Sequence, residues 1–581
     1  MREQIKWLWS NMDAPYRKRQ IAALCICVLT DVMLLINPAL SQRLIDDVIV
    51  AQNPDPLIGL LMIMLAAKVM REGLRYLMVI FLEKASQNVV LNLRTRLFEK
   101  LQYNDIRYFD SHPSGDLMTR MSADLDWCRH FLSYINYRII DAVCTFLFAG
   151  LYLVTVSWKL TLMLVAITPV LLIVSKVFSR HVRPRFVFMR EKLSEMNAAA
   201  QENIAGNRVV RAFAREEYEK ERFSKKSRAF MDANLRINKL WLTFFPIIEL
   251  LANGMMLVTI FVGGWMIITG DLTPGQLAVF TSLSWALSNP MRELGNLIND
   301  LQRFSTSAAK VMELQYARPE ISDSPTAKDH DRIQGKIEFR DVSFRADSRT
   351  VLSHVSFTVE PGQTVAVMGP TGGGKTTLIN LLVRFYEVSD GAVLVDDCDV
   401  REWKLSQLRS GVGTATQDVF LFSDTVEGNV AFSDIDLSLE EVRDFSRRAA
   451  AAEFIDHLPE GYDTIIGERG VGLSGGQRQR VALARALAAR PGILIMDDTT
   501  SAVDSETEQY IQEQLRQLPY PCTKFIIAQR ISSMRDADLI LVLRDGKITE
   551  RGTHRELLEQ KGFYWQTWRL QSGIDAEKEA V

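Results

Sequence analysis

Long apolar segments dominate the first half of this chain and are missing from the second half. A helix needs roughly 20 mostly apolar residues to cross a bilayer, and six such segments fall at residues 21–40, 57–81, 131–156, 160–178, 242–268 and 275–297. The remainder reads as a soluble α/β domain, with short apolar strands and helical patterns. This division predicts a six-span α-helical transmembrane domain at 1–315, a linker at 316–333 and an α/β domain at 334–581.

The connections between these segments indicate how the chain is oriented. Short turns at 158–159 and 270–274 carry almost no positive charge, whereas long, helix-rich connections at 82–130 and 179–241 are strongly basic. Positive residues stay on the cytoplasmic side of a membrane. Both termini, both long connections and the α/β domain are therefore expected in the cytoplasm, with the six spans in the cell membrane, the plasma or inner membrane of a bacterium.

Charged residues interrupt several predicted spans: Asp31, Lys68, Arg71, Glu72, Arg75, Glu249, Arg292 and Glu293. Each costs at least ~2.5 kcal/mol if it faces lipid at mid-bilayer. The four from Lys68 to Arg75 are three or four residues apart and share one helix face. Two interpretations stay open: these charges line a translocation path, or they form buried ion pairs that only hold helices together.

Composition narrows the classes of function. The net charge of −2 gives no basis for nucleic-acid binding through bulk charge. The six cysteines, at 25, 27, 128, 144, 398 and 522, show no metal or redox spacing and are predicted to be reduced structural thiols. The polar, basic N-terminus leads into an apolar run without a cleavage pattern, so no signal peptide is predicted.

The segment GPTGGGKTT at 369–377 matches a phosphate-binding loop, with an apolar strand before it and a helical pattern after it. Glycines let backbone N–H groups close on phosphates, and the N-terminus of the following helix adds positive potential. Lys375 is expected to reach the β- and γ-phosphates, and Thr376 to ligate Mg²⁺. The predicted ATP-binding residues of this loop are Gly369, Thr371, Gly372, Gly373, Gly374, Lys375, Thr376 and Thr377.

Two further motifs complete the predicted nucleotide chemistry. The apolar strand 493–496 is followed by Asp497, which is expected to hold Mg²⁺ through water. The segment LSGGQ at 473–477 lies directly before a helical pattern, and a serine with two glycines at a helix start makes an anion site. A second phosphate site in one chain makes sense if the nucleotide belongs to another subunit, which would be contacted by Ser474, Gly475, Gly476 and Gln477.

These motifs together make the whole chain resemble the half-transporters among ABC exporters, in which six spans are fused to one nucleotide-binding domain. The resemblance rests on GPTGGGKTT, Gln417 in TATQDVFLF, GERG at 467–470, LSGGQRQR at 473–480, ILIMDD at 493–498 and SAVD at 501–504. It includes YFD at 108–110 and VRAFARE at 210–216 in the long connections.

The resemblance implies a head-to-tail dimer in which each ATP lies between one chain's phosphate loop and the other chain's LSGGQ. It implies that Gln417 senses Mg²⁺ and the attacking water, and that Asp504 organises the dimer seam. It also implies coupling helices, placed near 111–116 and 212–216, that dock on the nucleotide-binding domains.

Three positions depart from the family pattern. Asp498 stands where the family has the catalytic glutamate that positions the attacking water, and its carboxylate is one methylene shorter. Gln529, in FIIAQR, stands where the family has a catalytic histidine, and it cannot carry charge. Ala346 falls where an adenine-stacking aromatic is expected, and Phe344 or Arg345 could replace that contact.

These departures predict a degenerate ATP site in a heterodimeric exporter of hydrophobic or amphipathic, multidrug-like substrates. The chain is expected to bind ATP and Mg²⁺, to be a weak ATPase alone, and to act with a second half-transporter that has the glutamate and histidine. The alternatives are a regulatory or gating subunit, an importer built on the exporter fold, a homodimer with two slow sites, and drift of a nonfunctional domain. The sequence does not identify the substrate.

Overall fold

The computed structural model describes residues 1–572 apart from 328, 331, 347–348, 468–469, 471 and 500–502. Eight more side chains are not described, at 171, 172, 175, 179, 252, 291, 292 and 294. The predicted membrane charge Arg292 is therefore outside the described set. Parts of the GERG and SAVD segments are outside it as well. The chain forms two compact units. A helical unit comprises Met1–Tyr103 and Pro113–Ala317, and an α/β unit comprises Asn104–His112 and the chain from Arg318 onward.

The helical unit consists of long helices, which satisfy their own backbone hydrogen bonds in lipid. The helices of this part of the chain are α1 Arg2–Ser10, α2 Ala14–Met33, α3 Ile36–Arg43, α4 Leu57–Gln102, α5 Ile106–Ser111 (a part of the α/β unit), α6 Ser114–Thr119, α7 Leu125–His130, α8 Asn136–Val156, α9 Trp158–Ala205, α10 Asn207–Ala212, α11 Glu216–Ile268 and α12 Pro274–Tyr316. Wider π-helical turns follow α3, α6 and α7, at Leu44–Val50, Arg120–Asp124 and Phe131–Ile135.

These helices cover all six predicted spans. In the described residues, three helical stretches are long and apolar enough to cross a membrane, Ala14–Val50, Ser114–Val156 and Glu216–Ile268, and α9 begins with a shorter apolar stretch, Trp158–Val170. Helix α4 carries the charged face from Lys68 to Arg75. On it, Lys68 Nζ lies 3.3 Å and Arg71 Nη1 3.7 Å from Glu72 Oε1. These ion pairs lie within one helix and Lys68 and Glu72 are half exposed, so they do not decide between the two interpretations.

Local capping explains where the last span begins. Thr273 Oγ1 accepts a hydrogen bond from the Gln276 N–H at 3.1 Å, and Gln276 Oε1 accepts one from the Thr273 N–H at 2.9 Å. Pro274 takes the first helical position. This reciprocal capping and the fixed proline geometry end the predicted turn at 270–274 and start α12.

The α/β unit alternates strands and helices as its sequence pattern predicts. Its strands are β1 Ile337–Ala346, β2 Arg349–Val359, β3 Thr364–Met368, β4 Asp390–Val395, β5 Cys398–Asp399, β6 Val412–Ala415, β7 Ile493–Asp497, β8 Thr523–Ile527, β9 Leu539–Arg544 and β10 Lys547–Gly552. Its helices are α13 Lys375–Leu382, α14 Leu405–Ser410, α15 Val426–Val430, α16 Leu439–Arg448, α17 Ala452–Asp456, α18 Gly475–Ala488, α19 Ser505–Arg516, α20 His554–Gln560 and α21 Phe563–Gln571.

Two sheets organise this unit. An antiparallel sheet has the strand order β2-β1-β4-β5, and a mostly parallel sheet has the order β10-β9-β3-β8-β7-β6. Along β7, Ile493 and Ile495 enter one apolar core while Leu494 and Met496 enter the other. Burial on both faces is typical of a parallel sheet. The carboxyl ends of β3, β6, β7 and β8 therefore meet at one edge, where ligands bind in such sheets.

Helix α5 lies between the spans in sequence but belongs to the α/β unit. Asp105 caps it by accepting from the Tyr108 N–H at 3.0 Å. Tyr386 donates its hydroxyl to Asp110 Oδ2 at 2.7 Å, and this hydrogen bond, together with burial, raises the pKa of Tyr386 to about 12. Helix α5 thus ends at Ser111, where the coupling helix predicted at 111–116 begins.

Candidate nucleotide-binding site

The phosphate loop connects β3 to α13, and two of its glycines occupy positions where a side chain would collide with neighbouring strands. Gly369 has φ +151°, and a Cβ there would lie 2.0 Å from the Leu543 carbonyl oxygen. Gly374 has φ +96° at the N-cap of α13, and a Cβ would meet Leu352 Cδ2 at 2.7 Å. The loop therefore packs directly on β2 and β9. This packing places the N-terminus of α13 at the edge of the sheet.

Lys375 lies inside the curve of this loop. Its Nζ donates hydrogen bonds to the carbonyl oxygens of Gly369 at 2.8 Å and Pro370 at 2.9 Å. Burial lowers the pKa of Lys375, and the nearby carboxylates of Asp497 and Asp498 oppose that shift. The ammonium group is thus held where a phosphate chain wrapped by the loop would meet it.

Thr376 and Asp497 form a pair of oxygen ligands suited to Mg²⁺. Thr376 Oγ1 donates to Asp497 Oδ2 at 3.3 Å, and Asp497 is only 6% exposed. Burial raises the pKa of Asp497, while the hydrogen bond from Thr376 counteracts it. Mg²⁺ prefers a carboxylate and a hydroxyl together with water and phosphate oxygens, so these residues could hold it. Gln417 is exposed just beyond the end of β6, the neighbour of β7.

Asp498 follows β7 with its backbone fixed from two sides. Its N–H donates to the Ile527 carbonyl at 2.8 Å, and its carbonyl accepts from Gln479 Nε2 at 3.2 Å. Its φ is +51°, an uncommon value for a residue other than glycine. Because the backbone is fixed, the length of the side chain determines how far the carboxylate reaches.

The LSGGQ segment starts α18 as predicted. Ser474 is the N-cap residue, and its Oγ accepts from the Gln477 N–H at 3.3 Å. In return, Gln477 Oε1 accepts from the Ser474 N–H at 2.9 Å. Ser474 and Gly475 are exposed. This reciprocal capping holds a 14-residue helix with its N-terminus open to solvent, an arrangement suited to an anion brought by another molecule.

Comparisons with known proteins agree with these two units. The family model described as "ABC transporter transmembrane region" matches residues 21–291, and the model described as "ABC transporter" matches residues 352–501. The chain is 38% identical to the ATP-dependent lipid A-core flippase of Pseudomonas aeruginosa, over 86% of this chain and 82% of that protein. It is 33% identical to a putative multidrug export ATP-binding/permease protein, YgaD, of Bacillus subtilis, over 96% and 98%.

A solved structure agrees as well. A bacterial Atm1-family ABC exporter with ATP bound superposes with a TM-score of 0.82 at 27% identity, covering 96% of this chain and all of that one. The chain belongs to the ABC exporter family. The predicted fold, a helical transmembrane domain fused to an α/β nucleotide-binding domain, is confirmed. This ABC exporter is a membrane-bound, ATP-driven translocase with a cytoplasmic nucleotide-binding domain.

The structure brings most of the exporter's predicted site residues to one sheet edge. The phosphate loop, Asp497, Asp498, Gln417 and Gln529 all follow the carboxyl ends of neighbouring parallel strands. Ser474 to Gln477 instead lie at the start of α18. Catalytic and ligand roles for these residues remain predictions.

Gln571 is a residue that sequence reasoning missed. It lies at the end of α21, and its side chain holds the loop that carries Gln529. Gln571 Nε2 donates to the Gln529 carbonyl at 2.8 Å, and Gln571 Oε1 accepts from the Ile531 N–H at 2.8 Å. No local signal marks this role, because the two segments are about 40 residues apart in the sequence and meet only in the fold.

The surroundings of Phe344, Arg345 and Ala346 bear on the predicted adenine contact. Arg345 Nη2 lies 3.6 Å from Asp390 Oδ2, and the Phe344 ring packs 5.6 Å from the Tyr386 ring. Both proposed replacements for the missing aromatic therefore contact residues outside the phosphate loop. Arg349 is the direct cross-strand partner of Ala346. It lines a cavity of about 340 Å³ with other residues of β2, of the phosphate loop and of the β9–β10 turn: Thr350, Val351, Pro370, Thr371, Gly372, Gly373, Asp545 and Gly546.

Arg349→Ala is expected to weaken ATP binding to the purified chain roughly threefold to tenfold, because a guanidinium can stack on a base where the aromatic ring is missing. Titration with ATP, followed by intrinsic fluorescence, measures the change. Arg345→Ala is the matched control and should leave affinity unchanged. Equal losses in the two variants would show that Arg349 acts only through general charge.

Proposed function

We propose that this chain is one half of a heterodimeric ABC exporter, with a degenerate ATP site of its own and an LSGGQ segment that completes the partner's active site. Its substrates are hydrophobic or amphipathic compounds moved out of the cytoplasm. The names of two relatives, a lipid A-core flippase and a putative multidrug exporter, support this substrate class. The partner is a second half-transporter that has the glutamate and histidine missing here.

The observation that carries the proposal is Asp498 on its fixed backbone. Its carboxylate is one methylene shorter than a glutamate's, and a displacement of about 1 Å can cost around 100-fold in rate. Loss of a general base costs typically about 10²–10⁴-fold. The hydrogen bonds of Asp498 to Ile527 and Gln479 oppose a backbone shift that would compensate. Gln529 can donate a hydrogen bond to phosphate but adds no positive charge.

The binding machinery is intact by the same geometric criteria. Lys375 is held inside the loop, Thr376 lies 3.3 Å from Asp497, and Ser474 caps α18. The three departures noted in the sequence fall at Asp498, Gln529 and Ala346, which the family resemblance assigns to the hydrolytic step and to base stacking. Selective change of this kind supports a site that retains ATP and a signature segment that serves the other subunit.

The chain's residues suggest how binding would be converted into movement. Lys375 and the N-terminus of α13 hold the phosphates, while Thr376 and Asp497 hold Mg²⁺, which neutralises phosphate charge when it is bound. Closure of two nucleotide-binding domains on ATP would move α5, since Tyr386 is hydrogen-bonded to Asp110 within the same unit. Hydrolysis at the partner's site would then release the pair and reset the spans.

The purified chain, reconstituted alone in proteoliposomes, is expected to bind ATP but release phosphate at least about 100-fold more slowly than the assembled exporter. Steady-state phosphate release and equilibrium ATP binding are measured on the same preparation. Lys375→Ala provides the background for both. Brisk hydrolysis by the chain alone, well above that background, would refute the degenerate-site assignment.

A further inference from the structure

A cysteine and two carboxylates meet inside the helical unit, between α2 and α8. The ligand atoms of Cys27, Asp31 and Asp141 all lie within 4.8 Å of one another. Cys27 is 1% exposed and Asp31 is 3% exposed. Sequence spacing did not reveal this cluster, because its members come from two helices that are about 110 residues apart in the chain.

Asp31 is a buried carboxylate without a basic partner. Within the described residues, no cationic group lies within 4.0 Å of it, and its contacts are the Cys27 thiol, with Sγ 4.0 Å from Oδ2, and the Asp141 carboxyl group. Arg71 and Arg75 are more distant basic neighbours, and Arg71 Nε donates to the Thr30 carbonyl at 3.2 Å. A buried carboxylate is costly in its charged form unless it is paired or coordinates a metal, and otherwise it takes up a proton. This site would therefore hold either a proton or a metal cation.

The nearby arginine Arg138 does not neutralise both Asp31 and Asp141. Arg138 Nη1 lies 3.2 Å from Asp141 Oδ2, and the same guanidinium also pairs with Glu293. One arginine is thus shared by two carboxylates, while Asp31 faces Asp141 directly. Two carboxylates in direct contact cannot both ionise without a further positive charge.

A second thiol lies near this cluster, outside the 4.8 Å that joins its three members. Cys144 is three residues beyond Asp141 on α8, about one turn along the same face. Its thiol is half-buried and interacts electrostatically with Asp31, Asp141 and Cys27. Each helix therefore presents one thiol and one carboxylate, the Cys27–Asp31 pair on α2 and the Asp141–Cys144 pair on α8.

We propose that Cys27, Asp31 and Asp141 bind a thiophilic divalent cation, Zn²⁺ or Cd²⁺, between the two spans, and that Cys144 completes the site by a change of rotamer. Tetrahedral coordination with Zn–S near 2.3 Å and Zn–O near 2.0 Å places ligand atoms about 3.3–3.8 Å apart, which small side-chain rotations reach from the observed arrangement. Thiolates with carboxylates favour such metals, whereas Mg²⁺ and Ca²⁺ take all-oxygen sites. A bound ion would supply the missing charge and join α2 to α8.

The test uses the full-length chain in detergent, titrated with Cd²⁺. Thiolate-to-cadmium charge-transfer absorption reports sulfur ligation directly, and metal analysis after desalting gives the stoichiometry. One Cd²⁺ per chain is expected, with the absorption band reduced by at least about half in Cys27→Ser and lost when Cys144 is also changed to serine. Cys25→Ser, an exposed cysteine on the same helix, is the matched control and should retain the band. Asp31→Asn should weaken binding at least about 10-fold.

Three results would overturn the proposal. The wild-type chain could bind no cadmium through sulfur, which would mean that the acid pair holds only a shared proton. The band could persist at full strength in Cys27→Ser, or it could fall equally in Cys25→Ser, and either result would place the metal elsewhere. Size-exclusion profiles and ATP binding show whether each variant is folded. If Cys27→Ser does not fold, the loss of cadmium affinity in Asp31→Asn decides whether the metal binds at this site.

Discussion

Gly475→Glu is expected to reduce ATP turnover of the assembled exporter at least about 100-fold, whereas Asp498→Asn should change it less than about threefold. Gly475 is exposed in the first turn of α18, where the helix N-terminus favours an anion. A carboxylate built at that position would occupy the anion site and repel the partner's nucleotide. Phosphate release by the heterodimer, co-purified with its partner half-transporter, measures both variants.

Each half of this prediction has its own control. ATP binding by the purified chain alone should be unchanged in Gly475→Glu, because its own phosphate loop is untouched. Ser474→Ala removes the cap of α18 and should lower turnover in the same direction. A collapse of turnover in Asp498→Asn would mean that this chain's own site hydrolyses ATP, and full activity of Gly475→Glu would mean that LSGGQ does not serve the partner.

Gly369→Ala is expected to lower ATP affinity of the chain at least about 100-fold, since displacement of a binding group by about 1 Å can have that effect. The added Cβ would lie 2.0 Å from the Leu543 carbonyl oxygen, which is backbone and cannot rotate away. The loop must therefore move, and Lys375, whose Nζ is hydrogen-bonded to the Gly369 carbonyl, moves with it. Equilibrium binding of ATP measures the loss.

Gly372→Ala is the matched control for that change. Gly372 has φ +77°, but a Cβ there meets nothing within 4 Å. Only the conformational strain remains, about 1–2 kcal/mol, so affinity should fall about tenfold or less and the fold should be retained. Similar losses in the two variants would show that backbone conformation, and not the contact with β9, explains the requirement for glycine.

The sequence predicted the elements with strong local signals. The apolar runs predicted a helical transmembrane domain, because a length of about 20 apolar residues is a property of one segment, and helices lie at all six runs. The phosphate loop lies between β3 and α13, and Asp497 ends β7, as their flanking patterns indicated. Ser474 caps α18 because a serine with Gln477 three residues later forms a reciprocal cap. The roles of Asp498 and Gln529 came from the family resemblance and remain predictions.

Other parts of the candidate site could not be predicted in this way. Arg349 was missed because it becomes relevant only through its strand pairing with Ala346. Gln571 contacts the Gln529 loop from the far end of the chain. The cysteines carried no metal spacing, yet Cys27 lies beside Asp31 and Asp141. Each of these contacts joins segments whose proximity depends on helix packing or strand order.

The sequence alone determined that this protein has membrane-spanning helices and an ATP-binding α/β domain, since hydrophobic length, glycine spacing and caps act within a few neighbouring residues. Only the tertiary structure decided which side chains lie together: how Asp498 is held, which residue pairs with Ala346, and which groups meet between α2 and α8. The physical reason is that such contacts arise from packing between distant segments, and their distances are set by the core and not by the local chain.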